Sequence, residues 1–163
     1  PQDKDAWHNL GLILMSRGIL DKAILCFEEV YRRAPEDNFA VTQLAKLLFQ
    51  KHKLSDCLTY CNILLQRGHE QLLAVSLKVR VLNLITGYEQ ALKFIQPYID
   101  NNRSNDALWV VIAEIHEFRG NSNAAISALQ KAKHILDQGN EKANADNLQF
   151  VNLKLMNLIT QNN

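Results

Sequence analysis

The 163-residue sequence lacks a dominant charge: 18 Lys and Arg stand against 17 Asp and Glu, for a formal net charge of +1, and the two signs are interleaved. Its densest basic run, Lys51-His52-Lys53, reads as a short solvated patch, so nucleic acid is not an expected partner. Only three cysteines are present, with no secretory context, which argues against a disulfide framework and for a reducing, cytoplasmic setting. The chain begins Pro1-Gln2-Asp3-Lys4-Asp5, neither basic nor apolar, so no signal peptide is expected. No apolar stretch approaches the roughly 18 residues of a membrane span, so no membrane insertion is expected. The missing initiator Met suggests a piece of a longer protein or a processed chain. A glycosylation tripeptide at Asn102-Arg103-Ser104 is expected by chance and carries no weight. There is no glycine-rich phosphate loop, no HExxH and no GxSxG, and no carboxylate pair that the fold would gather in a cleft. No enzymatic activity is expected.

What is present is a periodicity. Apolar residues make up 47% of the chain, enough to bury a core. Trp7 recurs at 34-residue steps as Val41, Val75 and Trp109. The column four residues on holds Gly11, Ala45, Val79 and Ala113. Eleven residues on stand Gly18, His52, Thr86 and Gly120; sixteen on, Ala23, Cys57, Ala91 and Ala125; twenty on, Phe27, Cys61, Ile95 and Leu129. The register holds through four units without an insertion. Within a unit, Trp7, Leu10, Gly11 and Leu14 follow helical spacing, a break follows at Arg17-Gly18, and a second helix opens near Asp21 with Ala23, Phe27 and Val30 on one face. Small residues let the two helices approach, and large ones fill the space beside them. One such pair cannot bury its own stripe, so pairs must stack, giving an all-α solenoid.

These residues resemble the tetratricopeptide repeat, whose 34-residue unit carries W-x2-L-G-x2-Y…A-x3-F…P. Trp7, Leu10, Gly11, Leu14 (in place of Tyr), Ala23, Phe27 and Pro35 fit it in the first unit. Trp109, Ile112, Ala113, Gly120, Ala125 and Leu129 fit it in the fourth. The second keeps Val41, Leu44, Ala45, Leu48, Cys57, Cys61 and Leu64. In the third, Gly87 to Phe94 (GYEQALKF) resembles the second helix. The resemblance covers residues 4–137 and implies a right-handed α-solenoid of four helix-turn-helix units (4–37, 38–71, 72–105 and 106–139). Residues 141–160, with Leu148, Val151, Leu155 and Leu158 in a stripe, read as a polar-backed capping helix or the first half of a fifth repeat. Lys78 stands where Leu is expected, and Pro97 predicts a kink or an early end near Gln96. His116 is expected as a partly buried, satisfied histidine. Cys57 and Cys61 share a helical face near His52, but in columns that take small apolar residues, so no metal or cofactor is expected. Cys26 reads as a bystander off the core columns.

The family resemblance implies that the first helix of each pair lines a concave groove where ligands lie. The face opposite the core stripe supplies Asn9 and Leu12 in unit one, and Gln43 and Lys46 in unit two. Unit three supplies Leu73, Leu77, Arg80 and Leu84, and unit four Val110, Val111, Glu114 and Phe118. Outward positions of the second helices are polar, for example Ser55, Asp56 and Thr59. The family's carboxylate clamp for heat-shock chaperones would fall on His8, Leu12, Gln43, Leu73 and Leu77, which do not suit it. The expected partner is therefore an amphipathic helix or an extended apolar peptide of another protein, guided by Gln43, Lys46, Arg80 and Glu114. Leu77→Asp is expected to abolish binding and leave the fold intact. The alternative is an architectural, homo-oligomeric segment that self-associates through the same apolar surface.

Overall fold

The computed structural model describes residues 3–102, 104–139 and 141–161, with side chains throughout except at 141–143 and 161. Pro1 and Gln2, and Arg103 of the Asn102–Ser104 tripeptide, lie outside these residues. The described residues form helices α1 (Lys4–Ser16), α2 (Leu20–Arg33), α3 (Asn38–Gln50), α4 (Leu54–Gln66), α5 (Gln71–Ile85), α6 (Tyr88–Asn101), α7 (Asp106–Phe118), α8 (Ser122–Asp137) and α9 (Glu141–Gln161). No strand occurs among the described residues. Two compact units divide the chain, residues 1–81 and 82–163.

The helices begin and end where side-chain chemistry demands. Asp37 accepts a hydrogen bond from the Ala40 amide at 3.0 Å, capping α3, and Asn105 and Asn121 cap α7 and α8 in the same way. At the end of α1, Gly18 takes φ +72°, and the Gly18 and Ile19 amides turn back to the Met15 and Leu14 carbonyls. His52 and Gly120 take the same left-handed backbone at the equivalent turns. In the third pair the turn comes one residue late: Gly87, not Thr86, is left-handed, at φ +92°. Helix α5 is correspondingly longer, and Thr86 and Gly87 both donate to the Leu82 carbonyl.

In the first unit the core is built on the small-against-large contact. Gly11 lies under the fully buried ring of Phe27, and Ala23, Ala45, Cys57 and Cys61 are buried around it with Leu44, Leu47, Leu48 and Leu64. Rings extend the contact: Phe27 and Phe39 lie 6.3 Å apart, and Tyr31 meets Tyr60 edge-on at 5.5 Å. Leu10 and Ile13 of α1 are exposed although their equivalents Leu44 and Leu47 are buried, because no described helix precedes α1. In the second unit Ala91, Ala113, Ala125 and Leu129 fill the same columns, and Val151, Leu155 and Leu158 seat α9.

Three expectations are corrected. Helix α6 does not end near Gln96 but runs through Pro97 to Asn101. Pro97 is exposed, so its ring crowds only the solvent side, while buried Ile95 and Ile99 hold the helix down. Cys26 is no bystander but buried, in the column of Tyr60, Phe94 and Ala128, and burial pushes its thiol up. The back of α9 is not polar, since Phe150, Leu153, Met156 and Ile159 are exposed.

A Cβ on Gly11 would stand 2.9 Å from the Phe27 ring, which is completely buried. Overpacking of this kind costs about 1–3 kcal/mol, and better helix propensity returns at most about 1. Gly11→Ala should therefore lower the free energy of unfolding in urea; an unchanged or higher value would refute the close-approach role.

Candidate partner-binding face

Exposure sorts the expected groove residues by column rather than by unit. Leu12, Lys46, Arg80 and Glu114 form one column; Lys46 is exposed and the other three are half-buried. Ser16, Gln50, Leu84 and Phe118 form a second, exposed throughout, with Phe118 reaching 69%. Phe39 and Leu73 belong to a third, exposed and half-buried respectively. In α3, Lys46 and Gln50 lie within about 20° of Phe39 around the helix, so the open strip is narrow.

The column beside it is closed. Asn9 is exposed, but its equivalents Gln43, Leu77 and Val111 are buried. These three are corrected from groove-lining to interior positions. They lie about 40° off the strip, enough for packed helices to close over them. Leu77, only 5% exposed, belongs to the first unit's core with Val81 and Ala74. The expectation that Leu77→Asp spares the fold is corrected with it.

Each unit presents its own surface. In the first, Leu12, Phe39, Phe49 and Leu73 offer apolar surface around Lys46 and Arg80. His8 stacks on Phe39 at 4.5 Å, so the position a carboxylate clamp would use is held by a ring contact. Lys78, at the divergent Leu column, is half-buried and donates to Asn62 Oδ1 at 2.6 Å. In the second unit, Lys154 of α9 reaches Glu117 at 3.4 Å and Glu114 at 3.9 Å, so its side chain already occupies part of the α7 face. Val110 is half-buried there, and Leu84 and Phe118 are open.

Solved structures of low sequence identity share this fold. MamA from Desulfovibrio magneticus RS-1 is 17% identical, with a TM-score of 0.66 over 99% of this chain and 97% of that one. A tetratricopeptide repeat protein from Parabacteroides merdae is 16% identical, with a TM-score of 0.70 over 99% of this chain and 64% of that one. Human tetratricopeptide repeat protein 21B is 26% identical over 123 residues, 71% of this chain, and the match spans only 9% of that protein's length. The family model described as the tetratricopeptide repeat matches residues 4–37. Residues 4–37 are a tetratricopeptide repeat, and the rest of the chain is similar in fold to proteins built of such repeats.

Its titratable groups fit a packed repeat array. Cys57 and Cys61 lie buried with their sulfurs 3.9 Å apart, and Cys57 donates to the Ala45 carbonyl at 3.3 Å. The neighbouring thiol and burial hold Cys57 protonated, far above its ordinary range. Among the described residues no three His, Cys, Asp or Glu side chains gather to hold a metal ion, and His52 is exposed at a turn. No described helix is long and apolar enough to cross a membrane. His116 is half-buried, with Nδ1 3.0 Å from the Tyr88 hydroxyl, and Arg119 lies 4.6 Å over the Tyr88 ring. Burial lowers the His116 pKa from 6.5.

Two outcomes follow from these positions. A carboxylate at Leu77 would be desolvated in the core, so Leu77→Asp should cost at least the roughly 2–5 kcal/mol of a Leu→Ala truncation and abolish cooperative melting of the first unit. A well-folded Leu77→Asp variant by circular dichroism would overturn the interior placement. His116 should titrate by NMR with a midpoint below 6.5. Its contribution to stability is then lost as pH falls below the unfolded value of about 6.5, because the unfolded chain takes up a proton that the folded chain resists. A midpoint at or above 6.5 would contradict the burial.

Proposed function

We propose that this tetratricopeptide repeat protein is a non-enzymatic scaffold that holds a partner's amphipathic helix or extended apolar peptide along the open strip of its first helices. The family fold supports protein–protein interaction as the general role. The observation that carries the finer reading is the first unit's surface, where Leu12, Phe39, Phe49 and Leu73 leave apolar area open beside Lys46 and Arg80. The second helices oppose it with polar exteriors: Ser55, Asp56, Thr59, Asn62 and Gln66 of α4 are all exposed, as are Glu89, Gln90 and Lys93 of α6. Apolar side chains left partly open beside two cations suit an amphipathic helix or an extended apolar peptide.

On this reading the array comprises units 4–37, 38–71, 72–105 and 106–139, with α9 as a cap. The partner presents apolar side chains at helical or alternate spacing, and acidic residues that meet Lys46 and Arg80. The three cysteines are free and buried, which supports a reducing, cytoplasmic setting.

The test is selection of a displayed peptide library on the chain. Binders should share apolar anchors flanked by acidic residues. Lys46 is exposed, so Lys46→Glu leaves the core alone and reverses the guiding charge. It should weaken selected peptides about tenfold, equivalent to about 1.4 kcal/mol. Binders indifferent to Lys46→Glu and to Leu12→Ala would place recognition elsewhere and refute the strip.

A further inference from the structure

Two inward columns of the second helices hold an alanine and a large apolar residue on three helices. They are Ala23 with Phe27 on α2, Ala91 with Ile95 on α6, and Ala125 with Leu129 on α8. On α4 both positions are cysteine, Cys57 and Cys61. The alanine column gains a sulfur there, and the large column loses most of a side chain. The two departures meet: both side chains are completely buried, and their sulfurs lie 3.9 Å apart. The Cys57 thiol donates to the Ala45 carbonyl of α3 at 3.3 Å, which ties the pair to the neighbouring helix. Leu44, Leu48 and Leu64 belong to the same core. Packing a helix here asks only for alanine and leucine, as α8 shows, and does not ask for two thiols.

Two thiols in contact are poised for a disulfide, but the helix that carries them opposes it. The bond needs sulfurs at about 2.0 Å and Cβ atoms at about 3.5–4.5 Å. Residues four apart on a helix hold their Cβ atoms about 5–6 Å apart. Closing the bond therefore draws the two Cβ atoms together by roughly 1–2 Å, which the turn cannot absorb while it stays helical. An unwound chain absorbs it, since only three residues separate the cysteines. Helix and disulfide thus exclude each other, and the exclusion is reciprocal: folding disfavours oxidation by the factor by which oxidation disfavours folding. The reaction needs a two-electron oxidant, and glutathione disulfide suffices. One cysteine thiolate attacks it and expels a glutathione thiolate; the second cysteine attacks the mixed disulfide and expels the other. The cysteines lose two electrons and two protons, and the oxidant becomes two thiols. Because both sulfurs are completely buried, these steps run while the core is open.

We propose that Cys57 and Cys61 form a redox-sensitive latch on the first unit: as thiols they complete its core, and as a disulfide they keep α4 unwound and the unit open. A reducing setting leaves the latch closed. Phe39 and Lys46 stand on α3, which the pair holds through Ala45, so an oxidised chain loses that surface as well. The latch belongs to the core and works whether or not a peptide binds there.

The test equilibrates the chain in glutathione redox buffers, with and without unfolding urea, in a Cys26→Ala background that removes the third thiol. Trypsin reads the outcome, because residues 54–67 lie between Lys53 and Arg67 and carry both cysteines on one peptide. That peptide should lose two hydrogen atoms on oxidation. Without urea the disulfide should need an at least roughly hundredfold more oxidising glutathione ratio than with it. The oxidised chain, freed of urea, should melt about 10 °C or more below the reduced one by circular dichroism, and dithiothreitol should restore it. A control carries Cys57→Ala with Cys61→Leu, the pair that α8 has at Ala125 and Leu129. It has no thiol and should melt alike in both buffers. A disulfide-bonded chain that melts as high as the reduced one overturns the proposal, because α4 then accommodates the bond. So does an equal glutathione ratio with and without urea, or a peptide that never forms the disulfide even when unfolded. Loss of stability by the thiol-free control in the oxidising buffer overturns it too, since the effect then lies outside the pair.

Discussion

The structure depends on how closely the two helices of a pair can approach. Where Gly11 meets Phe27, a missing Cβ lets a whole ring enter the space between α1 and α2. The ring is completely buried as a result. A helix pair stabilised this way still has one apolar stripe uncovered, and the next pair must cover it. The exposed Leu10 and Ile13 of α1, against the buried Leu44 and Leu47 of α3, show the stripe in both conditions. The same constraint turns part of the first helices' remaining side outward.

The pairing constraint also decides how wide the partner surface is. A helical period places side chains around a circle but does not say which neighbours close over its flanks. Columns centred on Phe39, Lys46 and Gln50 stay open, and the column only about 40° away, with Gln43, Leu77 and Val111, is interior. In the first unit the open positions are therefore a narrow strip whose chemistry changes from Leu12 to Lys46 and Arg80. In the second unit Glu114 and Glu117 are engaged by Lys154, while Leu84 and Phe118 are exposed and Val110 is half-buried.

Most of the fold was legible in the sequence because its determinants repeat. Small and large residues recur at 34-residue steps, and the helix pairs follow them. What escaped is what a repeat does not encode. The third turn slips by one residue because Gly87, rather than Thr86, can take the left-handed backbone. Pro97 is tolerated because it faces solvent between two buried isoleucines. The burial of Cys26 was readable, since its column holds Tyr60, Phe94 and Ala128. The candidate site was less legible: helical spacing does not say that Lys46 and Phe118 are exposed, Arg80 half-buried and Leu77 buried, because that is set by the helices packed around them.

Helix α9 shows why the terminal element escapes such reading most. The repeat register stops at Gly139, so no column predicts which of its apolar residues are core. Leu148, Val151, Leu155 and Leu158 form one helical stripe, and Ala145, Met156 and Ile159 begin another with Leu153 at its edge. Both stripes satisfy the same periodicity. Only packing against α8 distinguishes them, by burying Val151, Leu155 and Leu158 and leaving Leu148 and the second stripe beside an open groove. A helix with two apolar sides can close an array on one and still have the other uncovered. An uncovered side with Asn and Gln along its seam costs less in water than a purely aliphatic one, because its amides stay solvated.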